Sequence, residues 1–161
     1  MAKEAKTNAM RMLERAKVAY TSHEYPHEEG QAVDGANVAR LTGQDPARVF
    51  KTLVTQGADR NYYVFVVPVL AELDLKKAAK AAGVKSVAMI HVADINKVTG
   101  YIRGGCSPVG MKKQFPTVFH ATAADLPAIM VSAGRIGHQV QCDPQALLAL
   151  LGAKTADIIV D

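Results

Sequence analysis

Between Gly100 and Lys113 the chain reads GYIRGGCSPVGMKK, a stretch whose residue types could hold an anion or a carbonyl by the backbone. Gly100, Gly104, Gly105 and Gly110 admit positive φ, while Pro108 fixes its own φ and drives Ser107 towards an extended conformation. A bent, stiff loop of this kind can turn several N–H groups towards one point, which is the physics of an anion-binding nest. Arg103, Lys112 and Lys113 add positive charge at its rim. An ordinary surface turn with solvated basic residues fits the same string, so the loop alone does not decide between the two.

Two side chains in the loop carry potential nucleophiles. Cys106 lies beside glycine N–H groups and near cations that could lower its pKa. It would need a base, for which His91, His120 and His138 are the candidates, and a small cysteine filling a tight loop is the reading we favour. Ser107, next to Pro108, is suited to a turn hydrogen bond. Outside the loop, Lys51 alternates with Val49 and Leu53 on an expected strand, which sets its ammonium on an apolar face. It either snorkels to the sheet edge or is held in a pocket to meet an anion. Gly-x-Ser-x-Gly, Walker and Gly-x-Gly-x-x-Gly strings do not occur. His23 and His27 have the spacing of a helical metal pair, but Pro26 between them would break that helix. Neither a metal nor a cofactor is expected.

The elements that must position these groups follow from periodicity and punctuation. Thr7 can cap a helix to about Tyr20, and Thr21–Tyr25 reads as a strand followed by an irregular stretch, His27 to Asp34. Asp34 caps a second helix through Leu41, and Asp45-Pro46 starts a helical turn. Val49–Thr55 and Asn61–Val67 form a hairpin closed at Gly57–Arg60. Pro68 ends it, and Asp74 caps a helix of Leu75–Ala82 stopped by Gly83. Val84–Ile90 reads as a strand and Val92–Val98 as a short helix leading to Gly100. Thr117–His120, Ala128–Ser132 and Val140–Cys142 read as strands, with a turn at Gly134–Gly137. A helix of Gln145–Leu151 opened by Asp143-Pro144 and a last strand, Asp157–Val160, complete the chain. Without regular βαβα alternation, the expected fold is a mixed α+β domain over residues 1–161, with a curved or partly closed, barrel-like sheet and helices outside.

The bulk composition narrows the classes of function. A hydrophobic share of 49% with 21% charged residues is that of a globular chain rather than a disordered one. The two cysteines, Cys106 and Cys142, form no Cys-x-x-Cys pair, so reduced thiols are expected. No run of about eighteen apolar residues occurs, and Met1–Tyr20 is a charged amphipathic segment unlike a signal peptide, which points to a cytoplasmic protein without a membrane partner. A net charge of +4 permits a polyanionic partner without requiring one.

Lys51-Thr52-Leu53, Pro68, Leu73-Asp74-Leu75-Lys76-Lys77, Gly100-Tyr101, Gly104 to Gly110 and Ser132-Ala133-Gly134 occur in an order and spacing that resembles the YbaK family of trans-editing aminoacyl-tRNA deacylases. Relatives of that family include the editing domain of bacterial prolyl-tRNA synthetases. The resemblance runs from about Ala5 to Asp161. It implies hydrolysis of a mischarged tRNA, cysteinyl-tRNA(Pro) foremost, with the substrate's own thiol attacking its carbonyl to give a cyclic thiolactone; a deacylase for alanyl- or another small aminoacyl-tRNA is the alternative. A non-catalytic module binding a nucleotide or tRNA end is the alternative of another class.

By the same resemblance Lys51 grips the phosphate or ribose of the terminal adenosine, and the Gly104–Pro108 loop, with Gly105, frames the aminoacyl carbonyl. Tyr25, Thr52, Cys106, Ser107, Pro108, Ser132, Gly134 and Gln139 are the expected pocket residues. Lys76, Lys77, Lys80, Lys112 and Lys113 are the expected phosphate contacts for the acceptor end of tRNA(Pro), and prolyl-tRNA synthetase is an expected transient partner. Two departures stand out. Gln139 replaces an aspartate of some family members, and Arg135-Ile136 replaces a more basic Lys-Arg turn.

Overall fold

Two runs of β-branched and aromatic residues pair as expected and form the centre of the fold. In the computed structural model, which describes residues 6–161, β2 (Phe50–Gly57) and β3 (Tyr62–Pro68) form an antiparallel hairpin with Lys51 opposite Val67. The first five residues of the amphipathic amino-terminal segment lie outside the described residues. The hairpin belongs to a five-stranded sheet. On one side β4 (Val87–Met89) pairs with Thr55–Gly57 of β2; on the other, β5 (Thr117–His120) and then β8 (Lys154–Ala156) add parallel to β3. A second sheet of three antiparallel strands has the order β1 (Tyr20–Glu24), β7 (His138–Cys142), β6 (Ile129–Arg135).

The main core lies between these sheets, where Phe50, Val54, Val64 and Phe119 meet Ile129, Val131 and Val140. The other face of the larger sheet, with Tyr63, Phe65 and Val67, is covered by Ala78 and Ala79 of α3 (Leu75–Ala82). Helices α1 (Asn8–Arg15), α2 (Gly35–Leu41), α4 (Ile95–Thr99) and α5 (Pro144–Leu151) complete the mixed α+β fold. Thr7, Asp34, Asp74 and Asp143 cap α1, α2, α3 and α5 through their side chains, as their positions before helical runs predict.

Three expectations need correction. Helix α1 ends at Arg15, not Tyr20: Lys17 takes φ 60°, Val18 N–H donates to the Leu13 carbonyl and Lys17 N–H to that of Glu14. That is a Schellman closure with lysine where glycine is usual. The last strand is Lys154–Ala156, because that segment lies beside β5, whereas Asp157–Val160 contributes only an isolated bridge between Ile159 and Leu73. Finally, no closure into a barrel occurs among the described residues. The sheets are separate, and an isolated parallel bridge, Val49 to Met130, joins them. That bridge sits at the start of β2, one residue from Phe50 and two from Lys51, and there the site is built.

Candidate active site

Because β4 pairs only with Thr55–Gly57, no strand among the described residues pairs with Phe50–Leu53 on that side of the sheet. A cavity of about 460 Å³ opens there. Its walls come from Val49–Leu53, Val69 just past β3, residues of the 32–38 stretch entering α2, Arg103, Gly104 and Cys106 of the glycine-rich loop, Tyr25 at the end of β1, and Ser132 and Gln139 of β6 and β7. Tyr25 is fixed by its N–H donating to the Gly137 carbonyl, and Ser132 pairs directly with Gln139 across β6 and β7. The pairing shifts register between Ser132 and Arg135, where Gly134 at φ +97° donates its N–H to Ser132 Oγ.

The loop is pressed against this bulged turn by its glycines. Gly104 sits at φ +85°, and a Cβ there would lie 2.7 Å from the Ala32 Cβ. Gly105 needs no positive φ; its requirement is close approach, since a Cβ would fall 2.9 Å from the Ile136 nitrogen and 3.1 Å from the Arg135 Cα. Gly105 therefore docks the loop without lining the cavity. Ser107 and Pro108 are buried away from the cavity, and Ser107 Oγ accepts the Val109 N–H, the turn bond expected of it. Gly134 likewise shapes the wall from behind, packed against the Tyr101 ring. Of the expected pocket residues, Tyr25, Lys51, Thr52, Gly104, Cys106, Ser132 and Gln139 line the cavity; Gly105, Ser107, Pro108 and Gly134 support it.

The polar atoms in the cavity have an unusual status. Buried polar groups normally find partners, because an unmade hydrogen bond leaves the full desolvation cost. Among the described residues, the buried side-chain polar atoms without one are Tyr25 Oη, Thr52 Oγ1 and Gln139 Oε1, and all three residues line this cavity. Lys51 is half-buried and makes no ion pair or side-chain hydrogen bond among the described residues. Burial pushes its pKa down, partly offset by the charge of Glu72. An oxygen-rich ligand would meet the Lys51 ammonium and the two hydroxyls, and an N–H or O–H donor on it would meet the Gln139 oxygen, which can only accept.

Cys106 is ill suited to attack, since burial raises its thiol to about 11, with only a small opposing effect from Thr99. None of its candidate bases lines the cavity. His120 Nδ1 accepts the Ile158 N–H and lies 3.9 Å from Asp157, His138 lies 3.8 Å from Glu24, and His91 is exposed. His23 bonds Gln141 rather than pairing with His27, and no group of metal-ligating side chains occurs among the described residues.

The expected phosphate-contact lysines lie outside the cavity. Lys77 is tied to Asp157, Asp161 and the Ile159 carbonyl, so its charge is already neutralised within the fold. Lys112 lies over Gly100 with its ammonium 3.5 Å from the Lys97 carbonyl. Lys76 and Lys80 are exposed beside Lys85 on a separate groove, and Lys113 is exposed. Residues 32–38 were legible as a helix entrance but not as a wall of the site. The one available signal was an irregular Gly- and Glu-containing stretch before a capped helix, the kind of loop that carries function.

The sequence profile of the aminoacyl-tRNA editing domain matches residues 29–150. A protein of Enterococcus faecalis bearing the provisional name Cys-tRNA(Pro)/Cys-tRNA(Cys) deacylase EbsC is 49% identical over 153 residues, 95% of this chain and 93% of its own length. The chain belongs to the aminoacyl-tRNA editing domain family, in its YbaK/EbsC branch. Solved structures agree on the family fold. One described provisionally as a trans-editing enzyme for prolyl-tRNA synthetase superposes with a TM-score of 0.81 at 24% identity, over 98% of this chain and all of that one. A hypothetical protein reaches 0.85 at 19% identity, over 96% of this chain and all of its own. In this family member the amide at position 139 faces the cavity through an unpartnered oxygen, so it offers an acceptor without a charge. No helix among the described residues is long and apolar enough to cross a membrane.

Proposed function

We propose that the cavity is the editing site of a trans-acting deacylase that removes cysteine from mischarged cysteinyl-tRNA(Pro). The observation that carries this reading is convergence. A desolvated lysine, three unpartnered buried oxygens and a glycine-rich backbone wall, remote from one another in sequence, surround a single cavity. In this reading Lys51 grips the phosphate or ribose of the terminal adenosine. The loop backbone at Gly104 and Cys106, held in place by Gly105, faces the acyl carbonyl, and Tyr25, Thr52, Ser132 and Gln139 hydrogen-bond the ribose hydroxyls and the substrate amine.

An aminoacyl ester is activated, so positioning and stabilisation of the developing oxyanion supply the catalysis without a triad. The cysteinyl thiol attacks its own carbonyl carbon, forming the C–S bond of a thiolactone. The ester C–O bond breaks, and the proton lost by sulfur goes to the departing ribose hydroxyl. This intramolecular attack accounts for the absence of a thiol–base pair at Cys106 and discriminates against substrates lacking the thiol. The 1–161 chain acts as one editing domain that covers the acceptor end only, with Lys76, Lys80 and Lys113 as salt-sensitive phosphate contacts and prolyl-tRNA synthetase as a transient partner that supplies tRNA selectivity.

The test presents the protein with tRNA(Pro) charged separately with cysteine, alanine and proline and follows ester loss. The cysteinyl ester should be lost fastest and the prolyl ester spared. Faster loss of alanine would move the assignment to a small-aminoacyl deacylase, and loss of none would leave only a binding module.

A further inference from the structure

A second cavity of about 500 Å³ adjoins the first. Gly30, Gln31, Ala32, Val92, Asn96, Ile102 and Arg103 line it, and Ala32 and Arg103 belong to both walls. Its size is within the range that takes a small organic ligand. Its chemistry is mixed in a particular way. Val92 is 56% exposed and Ile102 51%, two of the few large apolar side chains the fold leaves in water. Beside them stand the side-chain amides of Asn96 and Gln31, neither of which makes a hydrogen bond within the described chain, and Arg103, exposed, lines both cavities. An apolar face, two free amides that can both donate and accept, and a planar cation one step towards the first cavity are the complement of a nucleotide: a flat base, its polar edge, and its phosphate.

We infer that this second cavity is a subsite for the nucleotide preceding the terminal adenosine, the second cytidine of the CCA end. It rests on the editing reading given above. The cytosine packs on Ile102 and Val92, its exocyclic amine and ring acceptors meet Asn96 and Gln31, and Arg103 takes the phosphate linking it to the adenosine in the first cavity. The subsite extends recognition by one nucleotide without the tRNA body. It gives the exposed apolar pair a role in a surface that otherwise has no reason to hold it.

Two cysteinyl esters test this, one of adenosine alone and one of the trinucleotide CCA. The wild-type protein should deacylate the trinucleotide ester at least about tenfold better in kcat/KM, with most of the gain in KM. The variants Asn96→Ala, Gln31→Ala and Ile102→Ala touch only the second cavity. Each should erode that advantage, and the triple variant should leave only the small part that the linking phosphate supplies, while cysteinyl-adenosine is processed at the wild-type rate. Equal use of both esters by the wild-type protein, or an equal loss on both in the variants, would overturn the subsite and leave the editing reading standing. Failure of the wild-type protein to deacylate either ester or charged tRNA would remove both.

Discussion

Lys51 and Lys77 stand on opposite sides of the molecule's polar economy. Lys77, on α3, meets two carboxylates and a carbonyl that belong to the carboxy-terminal segment, and it clamps that segment to the helix. Lys51, at the start of β2, is half-buried with only the more distant Glu72 charge to offset its desolvation. The same contrast extends to their neighbours. Lys77 and the two carboxylates it meets partner one another, whereas around Lys51 three buried oxygens have no partner. A satisfied cation reports on folding; a desolvated one facing unpartnered oxygens reports on what the site is shaped to receive.

The largest test of that contrast exchanges the two lysines' fates. Lys51→Ala should lose on the order of 100-fold in deacylation of cysteinyl-tRNA(Pro) with an unchanged or slightly raised melting temperature. Lys77→Ala should keep deacylation near the wild-type rate while lowering the melting temperature, since its removal leaves two carboxylates together. If both variants lost activity in step with stability, the distinction would be gone.

Next in size, Gly105→Ala should cost about 1–3 kcal/mol in denaturant unfolding and reduce deacylation as well, because its Cβ would meet backbone atoms of the β6–β7 turn. Retained stability and rate would mean that the loop is not docked as described.

Tyr25→Phe and Thr52→Val sharpen the comparison from the other side. Removing an unpartnered buried hydroxyl should leave stability equal or slightly higher while deacylation falls about fivefold. A matching substitution at a satisfied position, Thr55→Val, whose hydroxyl donates to the Tyr63 carbonyl, should do the reverse.

A smaller effect concerns pH. Burial lowers the folded pKa of Lys51 below its unfolded value, so holding the charge costs stability at neutral pH, and the cost is relieved as pH rises towards the ordinary lysine range. The grip on an anion disappears over the same window. Deacylation corrected for spontaneous hydrolysis should therefore fall on an alkaline limb below the usual lysine pKa. Glu72→Gln should move that limb to lower pH, and Lys51→Arg should remove it. Smallest of all, Cys106→Ala should keep most of the rate, as a thiol raised to about 11 and without a base in the cavity predicts.

The hairpin, the capped helices and the glycine-rich loop were legible because each carries local signals: β-branched runs, Asp caps and glycine stops. The end of α1 was not, since the left-handed position that closes it is occupied by Lys17, and the residues up to Tyr20 continue the helical period. The last strand was displaced because its place is set by the parallel edge of β5, a tertiary condition absent from local pattern. In the site, Lys51 and the loop were brought together through the resemblance to a family, and the structure sets them around one cavity. Asp34, Gly35 and Val69 could not be foreseen as walls, since their joining depends on how α2 packs on β2 and β3. The roles of Gly105 and Ser107 differ from simple pocket residues for a related reason: close approach and turn bonding leave the same residue types in sequence as ligand contact does.

The measurement that tests the account most directly is a crystal structure with a non-hydrolysable, amide-linked analogue of 3′-cysteinyl adenosine 5′-monophosphate. The account predicts the adenosine and acyl group in the cavity between β2 and the loop, the Lys51 ammonium on a phosphate or ribose oxygen, and Tyr25 Oη, Thr52 Oγ1 and Gln139 Oε1 each within hydrogen-bond distance of the ligand. An analogue bound elsewhere, or bound there with Lys51 turned away and those three oxygens still unpartnered, would contradict it.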